Sequence, residues 1–161
     1  MTDKRIIAID PGDQTGYAIG VLGPGHKFEV HDWGYTDWKT FVINYDKVML
    51  GEKPFDIVVY ESWRLRATAA KQKTGSTFPE IQCIGCIKLG AWRNKATLFT
   101  TEPAYKPVVD GWMGGTEYLP GRDGAEHARD AMRHLYWYAI KEGGIPVDEA
   151  RRVSRLGKQA V

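Results

Sequence analysis

Two apolar runs in this chain each end on a carboxylate. Ile6-Ile7-Ala8-Ile9 closes on Asp10, with Pro11-Gly12 directly after it, and Ile57-Val58-Val59-Tyr60 closes on Glu61. Short apolar runs bounded by turn formers read as strands. The unbroken run before Glu61 fits a central strand covered on both faces. A carboxylate at the end of such a strand is costly unless something pairs with it. If the two strands lie side by side and parallel, their backbones are about 4.8 Å apart, and Asp10 meets Glu61. A third acid, Asp130, falls in a helical segment three residues after His127. Such a set can share one divalent cation or two, and hard oxygen ligands with open positions suit Mg2+ or Mn2+. Two metals about 4 Å apart activate water and stabilise the leaving oxygen of a phosphodiester.

The remaining elements follow from periodicity and turn signals. Strands are expected at Arg5–Asp10, Thr15–Leu22, Lys27–Tyr35, Asp56–Glu61 and Ala96–Thr101. In the third, Phe28, Val30 and Asp32 alternate against Glu29, His31 and Trp33. Helices are expected at Asp37–Leu50, with Trp38, Phe41, Val42, Tyr45 and Met49 near one stripe, at Phe78–Asn94, and at Ala125–Lys141. Pro79 suits a first helical turn. Asp123 with Glu126 has capping-box spacing. Residues 64–77 read as a loop or irregular helix, Glu102–Gly124 as a Gly- and Pro-rich loop, and the tail after Pro146 as a short helix or disorder. Three strands on short turns make an antiparallel meander, and later strands alternating with helices add parallel to the first. The expected fold is therefore α/β, a five-stranded mixed sheet flanked by helices. A chain of 161 residues is expected to be one domain over 1–146, followed by a basic tail over 147–161.

Composition narrows the setting. No apolar run reaches the roughly 20 residues of a membrane helix, and Met1-Thr2-Asp3-Lys4-Arg5 runs into a strand rather than a leader peptide. Two cysteines imply no disulfide framework, so a cytoplasmic location is expected. The net charge is only +2, yet between Ser62 and Thr101 seven basic residues face one acid, Glu80. A solvated basic face is the ordinary reading of such a run. Beside an acidic metal site it reads as a surface for a phosphate backbone. Arg64, Arg66, Lys71 and Lys73 are the candidate contacts.

Single motifs here are weak. An Asp before Pro-Gly is often only a turn former, and Asp13 reads as exposed turn chemistry. Gly12 and Gly16 permit close approach of a phosphate or a second strand. His127 and Asp130 lie one turn apart, the spacing of a surface ion pair as well as of a metal site. Ala128 and Ala131 are small enough for the helix to lie close on a sheet. His134, one turn on, reads as a half-buried packing residue. Cys83-Ile84-Gly85-Cys86 has no second Cys or His pair to complete a zinc site, so packing or a subunit interface is the better reading. Trp33, Trp38, Trp92 and Trp137 fall in regular elements and read mostly as core.

The ordered set is stronger than its parts. Ile-Ala-Ile-Asp10-Pro-Gly with Thr15-Gly16-Tyr17-Ala18, then Val59-Tyr60-Glu61, then His127-Ala-Arg-Asp130-Ala131 resembles the RuvC-type Holliday junction resolvases, in particular small, divergent phage-borne members. The resemblance implies an RNase H-like fold, a homodimer, and paired nicking of branched DNA with Mg2+ or Mn2+, two ions per site, in a host cytoplasm if the gene is phage-borne. It implies Asp10, Glu61 and Asp130 as catalytic metal ligands, with His127 where members carry His or an acid. Trp63 falls where an aromatic can insert at the open junction centre, and reads equally well as a core tryptophan. The helix after Glu61 contributes to the dimer interface, making Ile81, Ile84, Gly85 and Leu89 candidate contacts. Residues 64–78 and 102–124 depart from the bacterial members. Other readings are an RNase H-fold nuclease acting on flaps, forks or RNA, and a branched-DNA binding protein with a vestigial site.

Overall fold

The structure, a computed structural model, describes residues 2–62, 78–119 and 125–157. Strands β1 (Lys4–Asp10), β2 (Gln14–Gly23) and β3 (Lys27–Asp37) form the antiparallel meander. Helix α1 (Trp38–Met49) follows at once, because the Asp37 carboxylate caps it by accepting from the Thr40 N–H at 3.0 Å. Then come β4 (Ile57–Glu61), α2 (Pro79–Arg93), β5 (Thr97–Thr101), α3 (Tyr105–Met113), α4 (Glu126–Lys141) and α5 (Val147–Gly157). The sheet order is β3-β2-β1-β4-β5, with β4 parallel to β1 and β5 parallel to β4. This is the mixed five-stranded sheet expected from the sequence, with β1 at its centre.

The strand pleat divides the core. Ile6 and Ala8 of β1, with Ile57 and Val59 of β4, face α4 and pack on Ala131, Leu135 and Tyr136. Ile7, Ile9, Val58 and Tyr60 face the other way, onto Phe41, Tyr45 and Met49 of α1 and Cys83 and Ile87 of α2. Each fully buried aliphatic side chain contributes about 1.5–3 kcal/mol. Among the described residues no helix is long and apolar enough to cross a membrane.

Several expectations are corrected. The stretch 102–124 is not all loop: it contains α3, which ends on Gly114 in the left-handed region at φ 79°. Its short length and internal Pro107 and Gly111 disguise the helical period. The N-cap of α4 is Ala125, with no side-chain cap; Asp123, of the expected capping box, lies outside the described residues. In β3 the alternation slips. Ile19 pairs with Asp32 but Gly20 pairs with Val30, so His31 is the extra residue of a bulge. Beyond it the parity flips, and Trp33 rather than Asp32 packs with Phe28 on the α4 side. Trp92 is no core residue, being 76% exposed on α2. Of the two readings for the stretch after Pro146, the helix is the one observed, through Gly157, with Ala150 fully buried.

Candidate active site

The register of β1 and β4 creates the site. Ile6 lies beside Ile57, Ala8 beside Val59 and Ile9 beside Tyr60, so the next step sets Asp10 beside Glu61. The pleat that sends Ile6, Ala8, Ile57 and Val59 toward α4 sends both carboxylates the same way. Asp10 is only 6% exposed, and Glu61 is half-buried.

Helix α4 brings the facing groups. His127 Nδ1 lies 2.6 Å from Asp10 Oδ2, and His134 Nε2 lies 2.8 Å from Glu61 Oε2. The expected His127–Asp130 surface pair is therefore not the one formed; His127 reaches across to the strand. His134 is also corrected. It is wholly buried and bound to Glu61, with Nδ1 left without a partner in the protein. The signal was available: His127, Asp130 and His134 are spaced i, i+3, i+7, one helix stripe. The close approach comes from Gly16, paired with Asp10 across the β1–β2 ladder. A Cβ on Gly16 would stand 2.0 Å from the His127 carbonyl oxygen. What the glycine admits is the backbone of α4.

Lys106, on α3, went unrecognised in the sequence. Its Nζ is 2.6 Å from Glu61 Oε2 and 2.6 Å from Asp130 Oδ2. Asp110, one turn further along α3, accepts from Arg133 Nε at 3.0 Å and Nη2 at 3.0 Å, and from the Tyr118 hydroxyl at 2.7 Å. Arg133 Nη1 donates to Asp130 Oδ1 at 2.7 Å. No local pattern points to Lys106, because its partners come from β4 and α4.

Among the described residues, one set of three His, Cys, Asp or Glu side chains has ligand atoms all within 4.8 Å of one another: Asp10, Glu61 and His134. Asp130 joins Glu61 through the shared Lys106 ammonium. A buried and a half-buried carboxylate with a buried imidazole are a donor set that fits a hard or borderline divalent cation. Burial raises the Glu61 carboxyl, but the hydrogen bonds and charges of His134 and Lys106 outweigh it, and the group titrates below its ordinary value. Burial lowers the Lys106 ammonium, and its bonds to Asp130 and Glu61 more than restore it.

His127 is raised above 6.5, chiefly by its hydrogen bond to Asp10, against partial burial and with the charges of Asp10 and Asp130 assisting. A raised imidazole contributes stability that is complete below its unfolded value and is lost as pH rises through the folded one. In chelator, the thermal midpoint of the wild type is therefore expected to lead that of His127→Gln by most below pH 6.5 and to lose that lead above it. A lead that is constant with pH would contradict the pairing.

Other sequence candidates fall elsewhere. Trp63, Arg64, Arg66, Lys71 and Lys73 lie outside the described residues. Ile81 and Leu89 are exposed on α2, Gly85 has open space at its Cβ position, and Ile84 is partly buried against the second core. Cys83 is buried with Thr15 Oγ1 3.7 Å from its sulfur, and burial pushes its thiol up to about 11. Both cysteines are free.

A central parallel pair ending in acids, a meander on one side and a helix laid over the acids define the RNase H-like α/β class. Within it, the fold is that of the RuvC-type Holliday junction resolvases. Thermus thermophilus RuvC, solved with a Holliday junction substrate, superposes with a TM-score of 0.60 at 13% identity, over 88% of this chain and 96% of that one. The fowlpox virus Holliday junction resolvase gives 0.59 at 15% identity, over 86% and 99%. The yeast mitochondrial Holliday junction resolvase Ydc2 gives 0.56 at 10%, over 95% and 86%. No family profile and no curated sequence matches the chain.

Proposed function

We propose that this protein is a Mg2+- or Mn2+-dependent endonuclease that resolves four-way DNA junctions by paired phosphodiester hydrolysis. The observation that carries the reading is the meeting of Asp10 and Glu61 with Asp130, under His127 and His134, on a fold shared with junction resolvases. Asp10, Glu61 and Asp130 hold the cation, with His127 or His134 completing the set. A bound divalent ion supplies Lewis acidity and a low-pKa water. The protein's own part is to fix the carboxylates: His127 orients Asp10, His134 orients Glu61, and Arg133 orients Asp130. Synthetic junction, flap, fork and RNA–DNA substrates with Mg2+ and Mn2+ test it. Symmetric paired nicks in the junction are expected. Cleavage of flaps, forks or RNA alone, or binding without any cleavage, would replace the reading with one of its rivals.

Binding is assigned to the basic stretch after Glu61, with Trp63 stacking at the junction centre. Neutralising Arg64, Arg66, Lys71 and Lys73 together is expected to weaken junction affinity and flatten its log–log salt slope by up to roughly three to four. An unchanged slope would show that the stretch does not touch phosphate.

Paired nicks call for two sites on a two-fold axis, and a homodimer through α2 supplies them. Ile81, Leu89 and Trp92 stand 49%, 45% and 76% exposed along that helix, and beside them Gly85 leaves room for a partner. Sedimentation is expected to give a dimer at micromolar concentration, and Gly85→Glu a folded monomer that nicks one strand at a time. A wild-type monomer with and without junction, or a dimeric Gly85→Glu, would remove the dimer.

A further inference from the structure

The cation at the centre of this site belongs to the protein. Lys106 Nζ sits 2.6 Å from Glu61 Oε2 and 2.6 Å from Asp130 Oδ2, and the lysine side chain is only 20% exposed. It is not a surface lysine settling on the nearest acid. Helix α3 is anchored one turn away by Asp110, which receives Arg133 through two nitrogens and the Tyr118 hydroxyl. The same Arg133 reaches Asp130 Oδ1, so the base of the lysine and one of its acceptors are tied to a single guanidinium. Arg151 Nε donates to the Trp112 carbonyl at 2.8 Å and ties the far end of α3 to α5.

Such a position has an electrostatic consequence. Glu61 and Asp130, with Asp10 nearby, are partly or wholly withdrawn from water, where like charges repel strongly. One ammonium between them offsets that repulsion. Glu61 and Asp130 are two of the carboxylates that would hold a divalent ion, and the ammonium already contacts both. Two cations held by the same pair of carboxylates repel one another, so the ammonium opposes a metal entering the site.

We propose that Lys106 is an internal competitor for the metal: an ammonium that neutralises Glu61 and Asp130 in the metal-free protein and lowers affinity for divalent ions until it is displaced. The inference rests on the metal-nuclease reading above. It differs in sign from a structural or metal-supporting role for Lys106. Removing a merely structural lysine loosens the carboxylates and weakens metal binding. Removing a competitor strengthens it, while lowering the stability of the metal-free protein.

The test is Mn2+ binding by isothermal titration calorimetry on DNA-free wild type, Lys106→Met, Lys106→Gln and Lys106→Arg, with thermal melts in chelator and in Mn2+. Lys106→Met and Lys106→Gln are expected to bind Mn2+ on the order of tenfold more tightly than wild type, to melt lower in chelator, and to gain more from added Mn2+. Lys106→Arg keeps the charge and is expected to stay near wild type. Mn2+ binding by the neutral variants alone, where wild type shows none, carries the same meaning. If wild type binds Mn2+ and both neutral variants bind it equally or more weakly, the competitor is overturned and the metal site stands. If none of the four binds Mn2+, the metal-nuclease reading and the inference fall together. Gln is the smaller change in polarity, so a poorly folding Met variant leaves a usable one.

Discussion

Asp10→Asn is expected to give a folded protein that binds four-way junctions as wild type does and cleaves them on the order of a thousandfold more slowly. The amide keeps the shape of the carboxylate and can still accept from His127 Nδ1, now 2.6 Å from Asp10 Oδ2. What it loses is one negative charge at a position only 6% exposed, where charge counts for more than at the surface. A metal contributes several kcal/mol to a phosphoryl transition state, and each 1.36 kcal/mol is tenfold in rate. The measurement is single-turnover junction cleavage with Mg2+, beside binding in chelator. An Asn variant that nicks at near wild-type rate would remove Asp10 from the site. Glu61→Gln should behave alike. Asp130→Asn should differ in one respect: it also takes a carboxylate from Lys106 and Arg133, so its melting temperature falls as well. His127→Ala should be milder if the imidazole orients Asp10 rather than holding the ion.

How much of this was legible depends on the range of the interaction. Asp10 and Glu61 could be placed together because strand parity and parallel pairing are local rules applied twice, and the register obeys them. The stripe of α4 was legible in part. His127 and Asp130 stand out in the sequence, while His134, on the same stripe, reads there as a half-buried packing residue. Its partner, Glu61, is distant in sequence, and nothing near His134 announces it. Lys106 was hidden for a related reason. Helix α3 is nine residues long with Pro and Gly inside it, and its stability comes from Asp110–Arg133 and from Val109 buried in the core rather than from propensity. The bulge at His31 reversed the faces of Asp32 and Trp33 because one inserted residue flips a period of two. A tryptophan inside a helix reads as core at Trp92, but α2 buries Cys83, Ile87 and Ala91 and turns Trp92 outward. A single helix period locates a stripe without saying what covers the opposite side.

Gly16→Ala is expected to lower stability by about 3 kcal/mol or more, a fall on the order of 10 °C in melting temperature. The added Cβ would stand 2.0 Å from the His127 carbonyl oxygen, 2.1 Å from its carbon and 2.7 Å from the Ala128 nitrogen. All three are backbone atoms of a helix packed on the sheet, so no rotamer change relieves the contact. Either β2 or the start of α4 must move. If α4 lifts, His127 leaves Asp10, and with it goes the alignment that sets Asp130 and His134 against Glu61. The variant should therefore lose more cleavage than its lost stability explains, measured at a temperature where it remains folded. Gly111→Ala is the control. That glycine is exposed in α3, with nothing within 4 Å of its Cβ position, and alanine in a helix interior is expected to gain about 0.5–1 kcal/mol. Opposite signs at the two glycines separate a steric requirement at Gly16 from a general preference for alanine. A Gly16→Ala protein that melts with wild type and cleaves normally would show that α4 does not need its close seat on β2 to hold the site.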